Sequence, residues 1–132
     1  MEESLSILVV EDDPVYAEFV ASTLRAAGHD LSVAHTGASA RERARTERPH
    51  AVILDLGLPD ESGYEVARAL RAGVLDDAAV IILLTANPSP QLDMAEAVGI
   101  DIVLGKPVEP TLVSAMIDHV RSRRQRRLQL RR

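Results

Sequence analysis

The sequence predicts an α/β fold of the doubly wound kind, a five-stranded parallel sheet with helices on both faces, and three observations carry that prediction. Five short apolar segments recur along the 132 residues. Three of them run almost without interruption, as strands buried on both faces do. The stretches between them place apolar residues at helical spacing. Strands that alternate with helices in this way build a parallel sheet covered on both sides.

The first strand is expected at Leu5 to Val10. Asp13 before Pro14 reads as an N-cap followed by the first helical position, and Val15, Phe19, Val20 and Leu24 mark one face of a helix that Gly28 ends. Leu31 to Ala34 follows as the second strand. The next helix, Ala38 to Thr46, has the faintest signal, since it has only alanines to bury before Pro49 stops it. Ala51 to Leu54 is the third strand, followed at once by Asp55. Pro59 and Gly63 set a turn and the start of a third helix, marked by Tyr64, Ala67 and Leu70 and ended by Gly73. Ala79 to Leu84 gives the fourth strand. Leu92, Ala95 and Val98 give the fourth helix with Gly99 at its end, and Ile100 to Leu104 gives the fifth strand. Leu112, Val113, Met116, Ile117 and Val120 mark the last helix by the same spacing.

Length and composition bound the function. A chain of 132 residues fits one domain. It contains no cysteine, so disulfides, zinc thiolate sites and cysteine nucleophiles are excluded. The start Met1, Glu2, Glu3 is acidic where a secretory leader would be basic, and the longest apolar run, Ala78 to Leu84, is too short to span a membrane. A soluble, cytoplasmic protein without membrane insertion is expected. The net charge of −5 divides unevenly: residues 121–132 hold seven of the fifteen basic residues and no acid, which leaves residues 1–120 with eight basic against twenty acidic groups. The expected organisation is a domain over 1–120 and a basic helix extension or linker remnant over 121–132. An acidic body suits a cation or a basic partner, and nucleic acid is not expected to bind through it. The single lysine, Lys106, stands among fourteen arginines. A compact ammonium needed at one place is one reading, and chance in an arginine-biased chain is the other.

The acids gather when the strands are laid side by side. Glu11, Asp12 and Asp13 follow the first strand and Asp55 follows the third. With strand order 2-1-3-4-5 these two strands are neighbours, and the crevice beyond their carboxyl ends is where such sheets bind ligands. Thr85 and Lys106, just past the fourth and fifth strands, project from the same edge. Clustered carboxylates either take up protons or hold a cation, and an all-oxygen set favours a hard ion such as Mg²⁺. One hydroxyl and one ammonium complete equipment for phosphoryl transfer, in which an aspartate can itself be the nucleophile.

These residues stand in a pattern that resembles the receiver domain of bacterial two-component response regulators, which has the flavodoxin-like (βα)5 fold. Ile7 to Asp13 is similar to the family's first strand with Glu11 and Asp12 as its acidic pair. Leu54 to Pro59, with Gly63 after it, is similar to the phosphoacceptor segment, and Leu84-Thr85-Ala86 and Lys106-Pro107 match its switch hydroxyl and its lysine-proline pair. The resemblance covers residues 5 to about 120. It implies a phosphoprotein of a phosphorelay, a signalling domain that promotes only its own phosphorylation and dephosphorylation. Asp55 would accept a phosphoryl group from the phosphohistidine of a histidine kinase or phosphotransfer protein and signal to a downstream effector. Mg²⁺ would be held by Asp12, Asp55 and the backbone carbonyl of Gly57, with Glu11 acting largely through water. Lys106 would pair with the phosphoryl group, Thr85 would move to bond it, and the Lys106-Pro107 peptide would be cis.

The pattern is broken in two places. Val103 stands three residues before the lysine, where an aromatic ring is usual, and Val108 follows the lysine-proline pair, where phenylalanine is frequent. Tyr16, Phe19 and Tyr64 are the only aromatics, so strand five offers no ring to report phosphorylation. Two alternatives remain open. A pseudo-receiver would keep the fold as a phosphorylation-independent interaction module. A Mg²⁺-dependent phosphatase would share the aspartyl phosphate, although Gly57 stands where its second acid is needed. His29, His35, His50 and His119 show no metal spacing and are expected to face solvent, while Met94 and Met116 are expected to pack. The arginine run from Arg121 to Arg132 reads as a solvated helix end that suits the helix dipole, as a linker, or as an electrostatic contact.

Overall fold

The computed structural model describes residues 4–86 and 92–130. Expectations that fall on Met1, Glu2, Glu3, Arg131 and Arg132, and on the side chain of Leu92, lie outside the described residues. Strands and helices alternate as β1 (Ser6–Val10), α1 (Pro14–Ala26), β2 (Asp30–Ala34), α2 (Gly37–Glu47), β3 (Ala51–Asp55), α3 (Gly63–Arg71), β4 (Val80–Thr85), α4 (Leu92–Ala97), β5 (Ile102–Gly105) and α5 (Pro110–Leu130). The strands pair in parallel in the order β2-β1-β3-β4-β5, as the sequence predicts.

Successive side chains of a strand point to opposite faces, and here each face has its own core. Leu8, Val10, Val52, Leu54, Ile81 and Leu83 pack with α2, α3 and α4 through Ala40, Ala44, Val66, Leu70 and Ala95. Ile7, Val9, Ile53, Ile82 and Leu84 pack on the other face with α1 and α5 through Ala17, Val20, Leu24, Val113 and Ile117. The weak periodicity of α2 has a simple cause. Its buried residues are Gly37, Ala40 and Ala44, so it gains contact by lying close to its neighbours and not by inserting large side chains.

Two strands extend one residue beyond their apolar runs. Asp55 still registers with Leu84, and Thr85 with Gly105, so both polar residues are the last rungs of the ladder and are buried. At the other end of the sheet, β5 begins two residues later than its apolar run. Asp101 is occupied there: its Oδ2 accepts from the Ile81 N–H at 2.8 Å and from Arg71 at 2.7 Å, and its Oδ1 from Arg124 at 2.6 Å. Arg71 also donates from Nε to the Gly99 carbonyl at 2.8 Å, and Arg124 donates to the carbonyl of Asp77. The helix that carries the arginine run is continuous to Leu130, and Arg124 reaches back to the sheet while Arg123, Arg126 and Arg127 stay exposed.

Three expectations are corrected. Val15, Phe19 and Leu112, which mark α1 and α5 by helical spacing, are exposed, and α1 covers the sheet with Ala17, Val20, Ala21 and Leu24 instead. His29 and His50 are half-buried, because their Nδ1 atoms accept the first backbone N–H groups leading into β1, from Leu5 at 3.2 Å and Ser6 at 2.9 Å. Met94 does not pack in the core but lies on the exposed side of α4, whereas Met116 packs against the α1–α5 face. No described helix is long and apolar enough to cross a membrane.

Candidate functional site

The carboxyl edge of the sheet gathers the predicted acids. Glu11 follows β1 directly, and its N–H donates to the Ala34 carbonyl at 3.0 Å, which continues the β1–β2 ladder and draws the side chain into the protein. It is only 4% exposed. Asp12 is exposed, and Asp13 leaves the cluster to cap α1, accepting from Val15 N–H at 3.0 Å. Glu11, Asp12 and Asp55 each offer one carboxylate oxygen, and these atoms lie within 4.8 Å of one another. An all-oxygen set with one open, exposed arm fits a hard divalent ion that keeps part of its water.

Lys106 stands over the two buried acids. Its Nζ lies 2.5 Å from Glu11 Oε1 and 3.0 Å from Asp55 Oδ1. The backbone of Lys106 is tied to the sheet, since its N–H donates to the carbonyl of Thr85 at 2.9 Å. The Lys106-Pro107 peptide is cis. Burial pushes the Glu11 carboxyl up; the lysine and the Asp13 N–H, donating to Oε2 at 3.1 Å, pull it back only in part. For Lys106, burial acts downward, but the hydrogen bonds to Glu11 and Asp55 outweigh it and leave the ammonium raised. Two negative groups thus share one cation at the crevice floor. Thr85 is buried beside them at the end of β4.

The loops that hold these groups are tied together through the β2–α2 turn. His35 Nδ1 bonds the Glu11 carbonyl at 2.8 Å, and Asp60 accepts the N–H groups of Gly37 at 2.8 Å and Ala38 at 3.0 Å. Glu61 takes both ends of a guanidinium fork from Arg41. The loop between β3 and α3 is closed on itself by a bridge between Gly57 and Ser62 and by Gly63 N–H donating to the Leu56 carbonyl at 2.8 Å. Sequence reasoning missed His35, Asp60, Arg41, Glu61 and also Tyr16, which lies against Lys106. A turn acid after Pro59 is the one visible sign of Asp60, and nothing local names its partner 23 residues away.

Asp60 supplies a pH prediction. The Gly37 N–H, then that of Ala38, holds its carboxyl below the ordinary 3.8. A carboxyl lowered by folding contributes stability above its unfolded pKa and loses it as pH falls through the folded value. Asp60→Ala is therefore expected to melt below the parent at neutral pH, with the two melting curves converging well below pH 3.8. A gap of constant size into acid would show that the cap acts without its charge.

Residues 7–118 match the family model described as the response regulator receiver domain. The DNA-binding response regulator MtrA of Mycobacterium tuberculosis is 37% identical over 122 residues, which are 91% of this chain and 50% of MtrA. This chain spans about half the length of that relative. Among solved structures, the receiver domain of a sensor histidine kinase from Pseudomonas aeruginosa, with a magnesium ion coordinated in its active site cleft, has a TM-score of 0.80 at 27% identity, covering 91% of this chain and 99% of that one. A response regulator from Burkholderia pseudomallei with a phosphorylated aspartic acid, a calcium ion and citrate has a TM-score of 0.82 at 26% identity, covering 98% of this chain and 75% of that one.

Proposed function

This chain belongs to the response regulator receiver domain family, and on that footing we propose that Asp55 accepts a phosphoryl group from the phosphohistidine of a histidine kinase or phosphotransfer protein. The observation that carries the reading is the ammonium of Lys106 bridging Glu11 and Asp55 at 2.5 and 3.0 Å, on the floor of a three-carboxylate crevice. An Asp55 carboxylate oxygen attacks phosphorus in line. The O–P bond forms as the N–P bond breaks, and the electron pair stays with the imidazole nitrogen, which takes up a proton as it leaves. Lys106 turns from Glu11 to the phosphoryl oxygens, and Thr85, next to it at the strand edge, supplies a hydroxyl to another. Glu11, Asp12, Asp55 and the Gly57 carbonyl are the groups that would hold Mg²⁺, which when bound offsets negative charge on the phosphoryl oxygens. The Mg²⁺ and the phosphorylated aspartate of the two neighbours support this reading.

The domain works in the cytoplasm as a switch of protein–protein contacts and not as an enzyme on other substrates. Its output passes to an effector through protein contacts, since residues 1–120 carry eight basic against twenty acidic groups and are a poor surface for nucleic acid. Incubation with Mg²⁺ and a small-molecule phosphodonor is expected to add one phosphoryl group by intact mass, and Asp55→Asn to abolish the gain. A parent chain that neither gains mass nor binds beryllofluoride would be a pseudo-receiver, and turnover of unrelated phosphoesters would make it a phosphatase.

A further inference from the structure

Tyr16 is bound to the lysine segment in two ways. Lys106 Nζ lies 5.1 Å from the centre of the Tyr16 ring, within the range of an attractive cation–ring contact. The Tyr16 hydroxyl accepts the backbone N–H of Val108 at 3.1 Å. One side chain from the first turns of α1 thus supports the ammonium with its face and the chain two residues further on with its tip. Tyr16 is half-buried and packs with the α1–α5 core, and its ring centre lies 6.3 Å from that of Phe19. Its position is therefore set from behind by the core.

We propose that Tyr16 is the positioning residue for Lys106: its ring and hydroxyl hold the ammonium where a phosphoryl group on Asp55 meets it, and link that position to the start of α5. A lysine head on a four-carbon stem is costly to hold in one place, and its three donors do not choose a direction by themselves. Glu11 and Asp55 take two of those donors, and the ring occupies a further side of the head. Val108 N–H lies two residues before Pro110, the first residue of α5, so the hydroxyl bond ties the lysine loop to that helix. This matters in a chain whose β5 has Val103 and no ring. The aromatic neighbour of the site comes from α1 instead.

The inference rests on the phosphoacceptor reading, and the test separates the two. Tyr16→Phe keeps the ring and removes the bond to Val108, while Tyr16→Leu removes both. Each variant and the parent are titrated with Mg²⁺ alone and with beryllofluoride in saturating Mg²⁺, by calorimetry, with melting temperature measured alongside. Tyr16 touches none of Glu11, Asp12 and Asp55 in any described contact, so Mg²⁺ affinity is expected to equal the parent's or to rise a few-fold, since a less firmly held ammonium competes less for the acids. Beryllofluoride affinity is expected to fall about threefold in Tyr16→Phe and about tenfold in Tyr16→Leu, following the usual worth of one neutral hydrogen bond and one cation–ring contact. In Tyr16→Phe the Val108 amide resonance should move while those of Glu11 and Asp12 do not. Parent-like beryllofluoride affinity in both variants overturns the role of Tyr16, and so does a parallel loss of Mg²⁺ affinity, which would mark a merely structural residue. A parent chain that takes no beryllofluoride overturns the phosphoacceptor reading, and this inference with it.

Discussion

Lys106→Ala is expected to bind Mg²⁺ about tenfold more tightly than the parent at neutral pH and to lose nearly all retention of a phosphoryl group or of beryllofluoride. In the parent the ammonium already neutralises Glu11 and Asp55, at 2.5 and 3.0 Å, and so competes with any other cation. At an effective dielectric of about 20, removing it frees a few kcal/mol of attraction for a divalent ion. Part is returned because Glu11, already raised by burial, loses the lysine that pulls it down and holds its proton more firmly. The phosphoryl side has no such compensation, since Lys106 is the only lysine in the chain and bonds both acids. Without metal the variant is also less stable. A fully buried pair broken on one side costs about 3–5 kcal/mol, and the remaining exposure of Lys106 reduces this to about 1–2 kcal/mol. Calorimetric Mg²⁺ titration of parent and variant decides the matter, and weaker binding by the variant would overturn the account.

Gly63→Ala is expected to destabilise the protein by about 1–3 kcal/mol and to weaken Mg²⁺ binding, although glycine to alanine near a helix start is ordinarily neutral or helpful. A Cβ at Gly63 would lie 2.5 Å from the Asp55 carbonyl oxygen and 3.0 Å from Leu56 Cα. Both obstacles are backbone, so no side chain can turn aside. Relief requires α3 to retreat from the end of β3 or the Asp55–Leu56 peptide to move, and either displaces the carboxylate that the crevice is built around. Denaturant midpoints and Mg²⁺ titrations of the same pair of proteins measure the two effects together. A variant as stable as the parent with normal Mg²⁺ affinity would mean that the approach of α3 to β3 is looser than described.

The sheet was legible in the sequence because its three central strands, β1, β3 and β4, are buried on both faces and so are written as apolar runs. The acids at its edge were legible because they follow those runs directly. Chain order places them, with no need to know any distant contact. The unread parts are those that depend on such contacts. His50 looks like a loop residue until the N–H of Ser6, 44 residues away, is seen to need an acceptor. Tyr16 falls off the spacing that marks α1, and its hydroxyl partner lies 92 residues further on. Asp101 stands inside the run read as the fifth strand, where nothing local marks its side chain, yet it lies before β5 and joins two arginines and a strand N–H. In each case the polar end of the side chain is chosen by tertiary neighbours, whereas apolar periodicity reports only which face is covered.

The Asp101 junction changes what kind of object α5 is. The helix has 21 residues, about 30 Å of rod. It is fastened near its start, where Val108 meets Tyr16, and again at Arg124, four turns along. Between those two points Val113 and Ile117 lie in the core, so the rod is seated along its length and not only at its ends. A helix held in this way moves as one piece. A displacement begun at Lys106 would thus reach Arg124 as a small slide of the whole helix across the sheet, with the exposed arginines carried along with it.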